Sequence, residues 1–328
     1  RGRRVAKDKA EQTKRELQEN DVLDESRKPI QEDESVIFPV TDDYEGPTVR
    51  KEFSSFNTTP SFQEQAQSIL TESELDDFIG SYDIIGDIAL IQLPDSVMEK
   101  AEALGKALLD AHPHLSSVRR RNTSRSGEYR LRNTAYVAGE DKTLTTHTEH
   151  GVDLSVDIDD VYFSPRLSAE RRRIAEHVAD GEHVLVMFGG CAPYPCVIAS
   201  QANPASVISV EWNPDGHDLA VDNVERNGLE DTVTCIEGDV AEIIPNLDSF
   251  DRVIMPAPHN ACEYTYLLDD AVSRNGEAHI YRFQEGHHVD KQCFEDVTRT
   301  IDVRHVEHCG DKNPAVSRVC YDVLLDSE

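Results

Sequence analysis

Between His183 and Phe283 the chain alternates five short apolar runs with stretches of helical character, and this alternation narrows its fold more than any other feature. The runs are His183-Val184-Leu185-Val186-Met187-Phe188, Val207-Ile208-Ser209-Val210, Val233-Thr234-Cys235-Ile236, Arg252-Val253-Ile254-Met255 and Ala278-His279-Ile280-Tyr281-Arg282-Phe283. Strands that alternate with helices pack as a mostly parallel sheet covered by helices. An α/β domain over 161–328 is therefore expected.

Upstream the pattern differs. The first segment, to about Val40, has helical spacing in Ala10, Leu17, Val22 and Leu23, and it ends in the strand-like Val36-Ile37-Phe38. It is short for a core of its own and reads as a small N-terminal domain over 1–43. Few apolar residues follow, which predicts a linker over 44–67. A separate α+β domain is expected over 68–160. There Ile84-Ile85 and Ile88-Ala89-Leu90-Ile91 flank Gly86-Asp87 like one strand with a bend or bulge. A helix is predicted from Asp95 to about Ala111, with Val97, Ala101, Leu104 and Leu108 on one face and Pro113 past its end.

The ends of the first three apolar runs carry a candidate nucleoside site. Phe188-Gly189-Gly190-Cys191-Ala192-Pro193 is a strand-to-helix turn in which the glycines let a ligand approach the backbone. Glu211 ends the second run, about 20 residues on, where an acid accepts hydrogen bonds from both hydroxyls of a ribose. Trp212 follows it. Asp239, with Val240 next to it, follows the third run and can face an adenine amino group. NAD shares this acid-after-strand logic, but the GxGxxG fingerprint is absent. The turn suits S-adenosylmethionine, which has no pyrophosphate to cradle.

Composition bears on partners rather than on fold. The formal net charge is −30, the acids are dispersed along the chain, and there are 23 Arg but only 10 Lys. That pattern resembles adaptation to molar salt, where screening removes self-repulsion. Such a surface repels RNA except where cations cluster. Arg119, Arg120, Arg121, Arg125, Arg130 and Arg132 share a stretch whose only acid is Glu128, and Arg171, Arg172 and Arg173 form a second cluster. Both are candidate phosphate contacts. The seven cysteines have no CxxC spacing and are expected as reduced core thiols. His305, His308 and Cys309 lack a compatible cluster, so no metal is expected. The longest uncharged run, Val184 to Val210, holds Pro193, Pro195 and Pro204, unlike a membrane helix. With no leader-like segment behind Arg1, a cytoplasmic location is the expectation.

Val161-Tyr162-Phe163-Ser164-Pro165-Arg166-Leu167, followed by Glu170-Arg171, strongly resembles the archaeal and eukaryotic tRNA (guanine-N1)-methyltransferases that act at position 37. Ser81 to Ala89, Gly127 to Arg132, and Ala138 to Asp141 match the same family, so the resemblance runs from Tyr82 to the C-terminus. It implies a Rossmann-like class I methyltransferase domain, a preceding domain that grips the anticodon stem-loop, and an N-terminal domain that reaches the tRNA elbow. It implies S-adenosylmethionine as donor, held by Phe188 to Pro193, Arg171, Glu211, Trp212, Asp239, Val240 and Pro258. By motif, Tyr162 and Arg166 would contact the substrate; the arginine-rich stretch adds Arg119, Arg120, Arg121 and Arg132, and a monomer is expected.

The resemblance also assigns the chemistry: Glu170 is the general base and Arg130 meets guanine O6. Guanine N1 is a poor nucleophile while it keeps its proton, and a carboxylate within reach can take it. The charge then spreads to O6, where a fixed guanidinium stabilises it. Three departures stand out: Val186 replaces an acid before the turn, Pro256-Ala257-Pro258 replaces Asn-Leu-Pro, and Glu211 replaces Asp. They keep two alternatives open, a wybutosine-pathway transferase and a tRNA-binding paralogue without catalysis.

Overall fold

The computed structural model describes residues 1–54, 60–121, 134–286, 289–313 and 315–326. The chain divides into two units, Arg1–Ser68 and Ile69–Glu328.

In the first unit, strands β1 (Gly2–Ala6), β2 (Ile30–Gln31) and β3 (Ser35–Pro39) form an antiparallel sheet in the order β1-β3-β2, and helix α1 (Ala10–Glu19) belongs with it. Leu17 on α1 is buried with Val36, Phe38 and Val40. Strand β1 has no counterpart among the sequence expectations, because Gly2-Arg3-Arg4-Val5-Ala6 offers a single large apolar side chain. Its partner β3 fixes it instead, in register from Gly2 opposite Pro39 to Ala6 opposite Ser35. Phe53 is buried. Helix α2 (Phe62–Ile69) opens on a reciprocal cap, in which Ser61 N donates to Glu64 at 2.7 Å and Glu64 N to Ser61 Oγ at 3.3 Å.

The second unit begins with α3 (Glu72–Asp77), then β4 (Tyr82–Ile85) and β5 (Ile88–Ile91). Here the expectation of one bent strand is corrected: β4 and β5 are antiparallel partners joined at Gly86-Asp87. Gly86 has φ +55°, and a Cβ there would lie 2.1 Å from Thr145 Oγ1, so the chain reverses where only glycine fits. The predicted helix starts as a 3-10 segment (Asp95–Lys100) and becomes α4 (Ala101–Ala111), which buries Leu104 and Leu108. Strands β6 (Ser117–Arg121) and β7 (Thr134–Gly139) complete a sheet ordered β4-β5-β6-β7. A hairpin of β8 (Leu144–Glu149) and β9 (Val152–Asp157) follows.

Helices α5 (Ser168–His177), α6 (Pro193–Gln201), α7 (Pro214–Arg226), α8 (Val240–Ile243) and α9 (Leu268–Ala271) accompany the large sheet. Its strands are β10 (His183–Met187), β11 (Ser206–Glu211), β12 (Val233–Glu237), β13 (Phe250–Met255), β14 (Val272–Gln284), β15 (Thr300–Asn313) and β16 (Val316–Asp326). The order is β12-β11-β10-β13-β14-β16-β15; the first five run parallel, and β16 is antiparallel to both β14 and β15. Val184 to Met187 and Val253 to Met255 are fully buried, which is why these strands read as unbroken apolar runs. The order reverses about β10, and such a reversal opens a ligand crevice at the carboxyl ends of the strands.

Asn223 of α7 docks the β8–β9 hairpin onto this domain. Its Oδ1 accepts from Ser155 N at 2.6 Å, and its Nδ2 donates to Ser155 O at 3.0 Å and Cys191 O at 2.9 Å. One cysteine expectation is overturned: Cys262 and Cys293 form a disulfide, while Cys191, Cys196, Cys235, Cys309 and Cys320 are free. The two partners lie in 3-10 segments that pack together, where Thr265 Oγ1 donates to Cys293 O at 2.7 Å.

Candidate active site

The turn after β10 is shaped by backbone conformations that side chains rarely adopt. Phe188, Gly190 and Ala192 have φ of +57°, +55° and +60°. Gly189 N donates to Val210 O at 2.9 Å, and a Cβ on Gly189 would lie 2.0 Å from Ser209 Oγ. Glu211, at the end of β11, ties the turn down: Oε2 accepts from Gly190 N at 2.7 Å and Oε1 from Asn213 N at 2.8 Å. Burial raises the Glu211 carboxyl above its ordinary value, and the backbone donors at Asn213 and Gly190 oppose that rise. Asp239 caps α8 by accepting from Ala241 N at 2.9 Å, and Gly238 N donates to Glu211 O at 2.9 Å. The three strand ends therefore meet around one hydrogen-bonded turn. Phe188 packs edge-on to Tyr264 with 5.2 Å between centroids. Trp212 is exposed beside Glu211, Pro193 opens α6 and is buried, Val240 is buried, and Pro258 O accepts from Phe283 N at 3.2 Å.

The segment Tyr162 to Arg166 lies next to this turn: the Cβ direction of Gly190 points at Tyr162 O, 3.8 Å away. Beyond it is a cavity of about 560 Å³, lined among others by Asp83, Arg121, Tyr162, Arg166, Phe283 and Arg318. Buried Asp83 accepts from Arg121 Nη2 at 2.5 Å and from Arg166 Nε at 2.6 Å, so two of the expected substrate arginines share one acid. Arg119 is buried and turned inward, donating to Thr134 Oγ1 and to Asp141, both at 2.6 Å. Arg120 is half-buried on β6. Arg130 and Arg132, together with Arg125, lie outside the described residues.

Glu170, in the first turn of α5, is 7% exposed and held from two sides. Arg173 donates to Oε2 through Nε at 2.8 Å and to Oε1 through Nη2 at 2.7 Å, and Tyr281 Oη donates to Oε1 at 2.5 Å. Arg173 also reaches Asp322 at 2.6 Å. His279 Nδ1 lies 2.6 Å from Asp322 Oδ1, and Arg252 donates to His279 Nε2 at 2.7 Å, so the imidazole carries its proton on Nδ1. Burial lowers the His279 pKa. Burial also opposes ionisation of Asp322, but the His279 and Arg173 donors hold its carboxyl well below the usual range. Cys320 brings a third potential ligand atom near this pair, yet Arg173 donates to both Asp322 oxygens and the facing His279 Nδ1 carries its proton. Arg171, expected at the cofactor, is 1% exposed and bound to Glu149 at 2.5 and 2.7 Å, with its guanidinium 5.0 Å from the Phe163 ring centroid. Its charge is consumed in fixing the Tyr162–Glu170 segment from below.

Asp83, Tyr281, Phe283, Arg318 and Asp322 are absent from the sequence-based candidates, and Arg173, expected as a phosphate contact, is instead held by Glu170 and Asp322. Two left a trace: Asp83 sits at an inward position of an alternating strand, and Asp322 interrupts the apolar run Val319 to Leu325.

Three family models match the chain. They are a TRM5/TYW2 methyltransferase domain over residues 145–309, a TYW2 N-terminal domain over 62–143, and a tRNA methyltransferase 5 N-terminal domain over 4–48. The tRNA (guanine(37)-N(1))-methyltransferase Trm5b of Methanocaldococcus jannaschii is 33% identical over 293 residues, 85% of each chain. Trm5b of Pyrococcus abyssi is 31% identical over 272 residues, 82% of this chain and 80% of that one. The solved complex of aTrm5 with tRNALeu superposes with a TM-score of 0.78 at 29% identity, covering 98% of this chain and 99% of that one. A methyltransferase-domain model that matches half of the chain, together with 33% identity to Trm5b over 85% of it, fixes the kinship of this sheet and its strand-end turn: the chain belongs to the TRM5/TYW2 methyltransferase family.

Proposed function

We propose that this protein methylates N1 of guanosine at position 37 of tRNA, with S-adenosylmethionine as donor. The observation that carries this reading is the meeting of the Gly189-Gly190 turn, Glu211 and Asp239 next to Tyr162, whose far side opens on the cavity. Bound there, the donor supplies a methyl group on a positively charged sulfur. Glu211 retains lone pairs for the ribose hydroxyls, Asp239 faces the adenine, and the turn from Phe188 to Pro193 admits the nucleoside because no side chain projects from Gly189 or Gly190. Trp212, Val240 and Pro258 border the same pocket, and Arg171 acts by anchoring it.

On the substrate side Tyr162 and Arg166 position the extruded base, Arg130 stabilises charge on O6, and Glu170 takes the N1 proton. To do so Glu170 exchanges its bond with Tyr281 or Arg173 for one with the guanine N1–H. Arg120, Arg121 and Arg132 meet phosphate, and Arg119 supports their strand through its own ion pairs. Residues 1–43 contact the tRNA elbow, 44–67 connect, 68–160 grip the anticodon stem-loop and 161–328 carry the chemistry. The protein acts as a monomer in a salt-rich cytoplasm.

Incubating tRNA transcripts bearing guanosine or adenosine at position 37 with labelled donor in high salt tests this reading. Nucleoside mass spectrometry should find 1-methylguanosine with the first and no label with the second. Equal labelling of both refutes it. The match of residues 62–143 to a TYW2 N-terminal domain favours a wybutosine-pathway transferase as the second reading, and an aminocarboxypropyl adduct would select it.

A further inference from the structure

We propose that Phe283, Lys312 and Arg318 form a subsite for a backbone phosphate of the RNA, next to the nucleotide that enters the cavity. The inference rests on the reading of the substrate as RNA. All three residues line the cavity, Phe283 from the end of β14 and the two cations from the facing ends of β15 and β16. Lys312 Nζ lies 4.6 Å and the Arg318 guanidinium 5.2 Å from the Phe283 ring centroid, so one aromatic ring holds two positive charges close by.

What separates these cations from the others in the cavity is their partners. Arg121 and Arg166 are each ion-paired to Asp83. Among the described residues neither Lys312 nor Arg318 has a carboxylate partner. Asp311, the acid next to Lys312 in sequence, instead accepts from Ser317 Oγ at 2.8 Å and lies 2.9 Å from His308 Nε2. Arg318 gives one N–H to Tyr162 Oη at 2.7 Å, while its Nε is buried without an acceptor. Leaving a buried guanidinium N–H unmade costs free energy that an incoming acceptor recovers. In a chain of formal charge −30, two adjacent unpaired cations on an aromatic platform fit an anion. The guanidinium fork matches a phosphodiester in shape. Because Arg318 also holds Tyr162, phosphate capture and base placement are joined at one side chain.

The test measures binding of a synthetic anticodon stem-loop, with single phosphates flanking position 37 replaced by neutral methylphosphonates. Wild-type protein should lose affinity about tenfold at one such position, and Arg318→Met should lose a similar amount on the unmodified RNA. Combined, the two changes should cost no more than either alone. Lys312→Met should lower the salt dependence of binding by about one counterion. Tyr162→Phe should keep the methylphosphonate sensitivity, which a role confined to tyrosine placement would abolish. Unchanged binding of S-adenosylhomocysteine verifies folding of each variant. Indifference of the wild type to every methylphosphonate, or losses that multiply, would overturn the subsite. Binding is read without turnover, so absence of 1-methylguanosine alongside a non-additive cycle would reject the proposed reaction and keep the subsite.

Discussion

Glu149 and Arg171 pair where almost no water reaches, at side-chain exposures of 4% and 2%. A pair of this kind adds little over an apolar replacement of both partners, but removing one strands the other. Glu149→Ala should therefore destabilise the second unit by about 3–5 kcal/mol in urea unfolding. The pH dependence has a definite sign. Burial pushes the Glu149 carboxyl up, yet His147 and Arg171 bring it down from 4.5 to about 2. A folded-state pKa below the unfolded one adds stability that is full above 4.5 and fades as pH falls from there towards 2. Wild type should lose stability across that window more steeply than the variant, and equal slopes would show that Arg171 is not its partner in solution. Glu170 poses a different question, since Arg173 and Tyr281 already donate to both of its carboxylate oxygens. Glu170→Gln should slow single-turnover methyl transfer at least tenfold, about 1.4 kcal/mol, with donor affinity kept. An unchanged rate would leave Glu170 as a structural partner of Arg173 and nothing more.

The turn after β10 is the element on which the proposed donor site depends, and Gly189 is its tightest point. Gly189→Ala would drive a methyl group against Ser209 Oγ and crowd the turn that Glu211 holds. Calorimetry should show donor affinity reduced about tenfold or more, on the order of 1.4 kcal/mol, while Gly181→Ala, whose Cβ meets nothing but whose φ of +81° strains an alanine, should cost stability and leave donor affinity intact. This turn and the first five strands of the sheet were legible in the sequence because both carry local signatures, glycines at a reversal and apolar runs buried on two faces. Strands whose partners define them were not. Strand β15 mixes Val303 and Val306 with Asp302, Arg304, His305 and Glu307, as an edge strand does, so its pattern is weak without β16 beside it. The Gly86-Asp87 hairpin was mistaken for a bend because two short apolar runs around a glycine fit either geometry. The site divides the same way: Glu211 and Asp239 announce themselves at strand ends, whereas the Asp322–Arg173–Glu170 chain joins residues far apart in sequence and appears only when β16 lies against α5.

At the scale of the molecule, four of the arginines are spent inward in ion pairs. Arg119, Arg171 and Arg252 are buried and paired, and Arg173 lies mostly enclosed between Glu170 and Asp322. The buried acids Asp83, Glu149, Glu170 and Asp322 balance these cations, so the outer surface carries nearly all of the formal charge of −30. Repulsion among surface acids acts over a Debye length of about 10 Å at 0.1 M salt and about 3 Å at 1 M, so salt should relieve it. The unfolding midpoint followed by circular dichroism should rise by more than about 4 °C between 0.1 and 1 M KCl at neutral pH, equivalent to about 1 kcal/mol or more. Salt also strengthens apolar burial, and charge separates the two effects. Near the sequence pI of 4.7 the net repulsion vanishes, so a rise caused by screening should shrink there, whereas one caused by apolar burial should persist. A midpoint that climbs equally at both pH values, or at neither, would remove salt adaptation as the reason for the acidic surface. It would return the burden of holding an RNA polyanion to the few unpaired cations around the cavity.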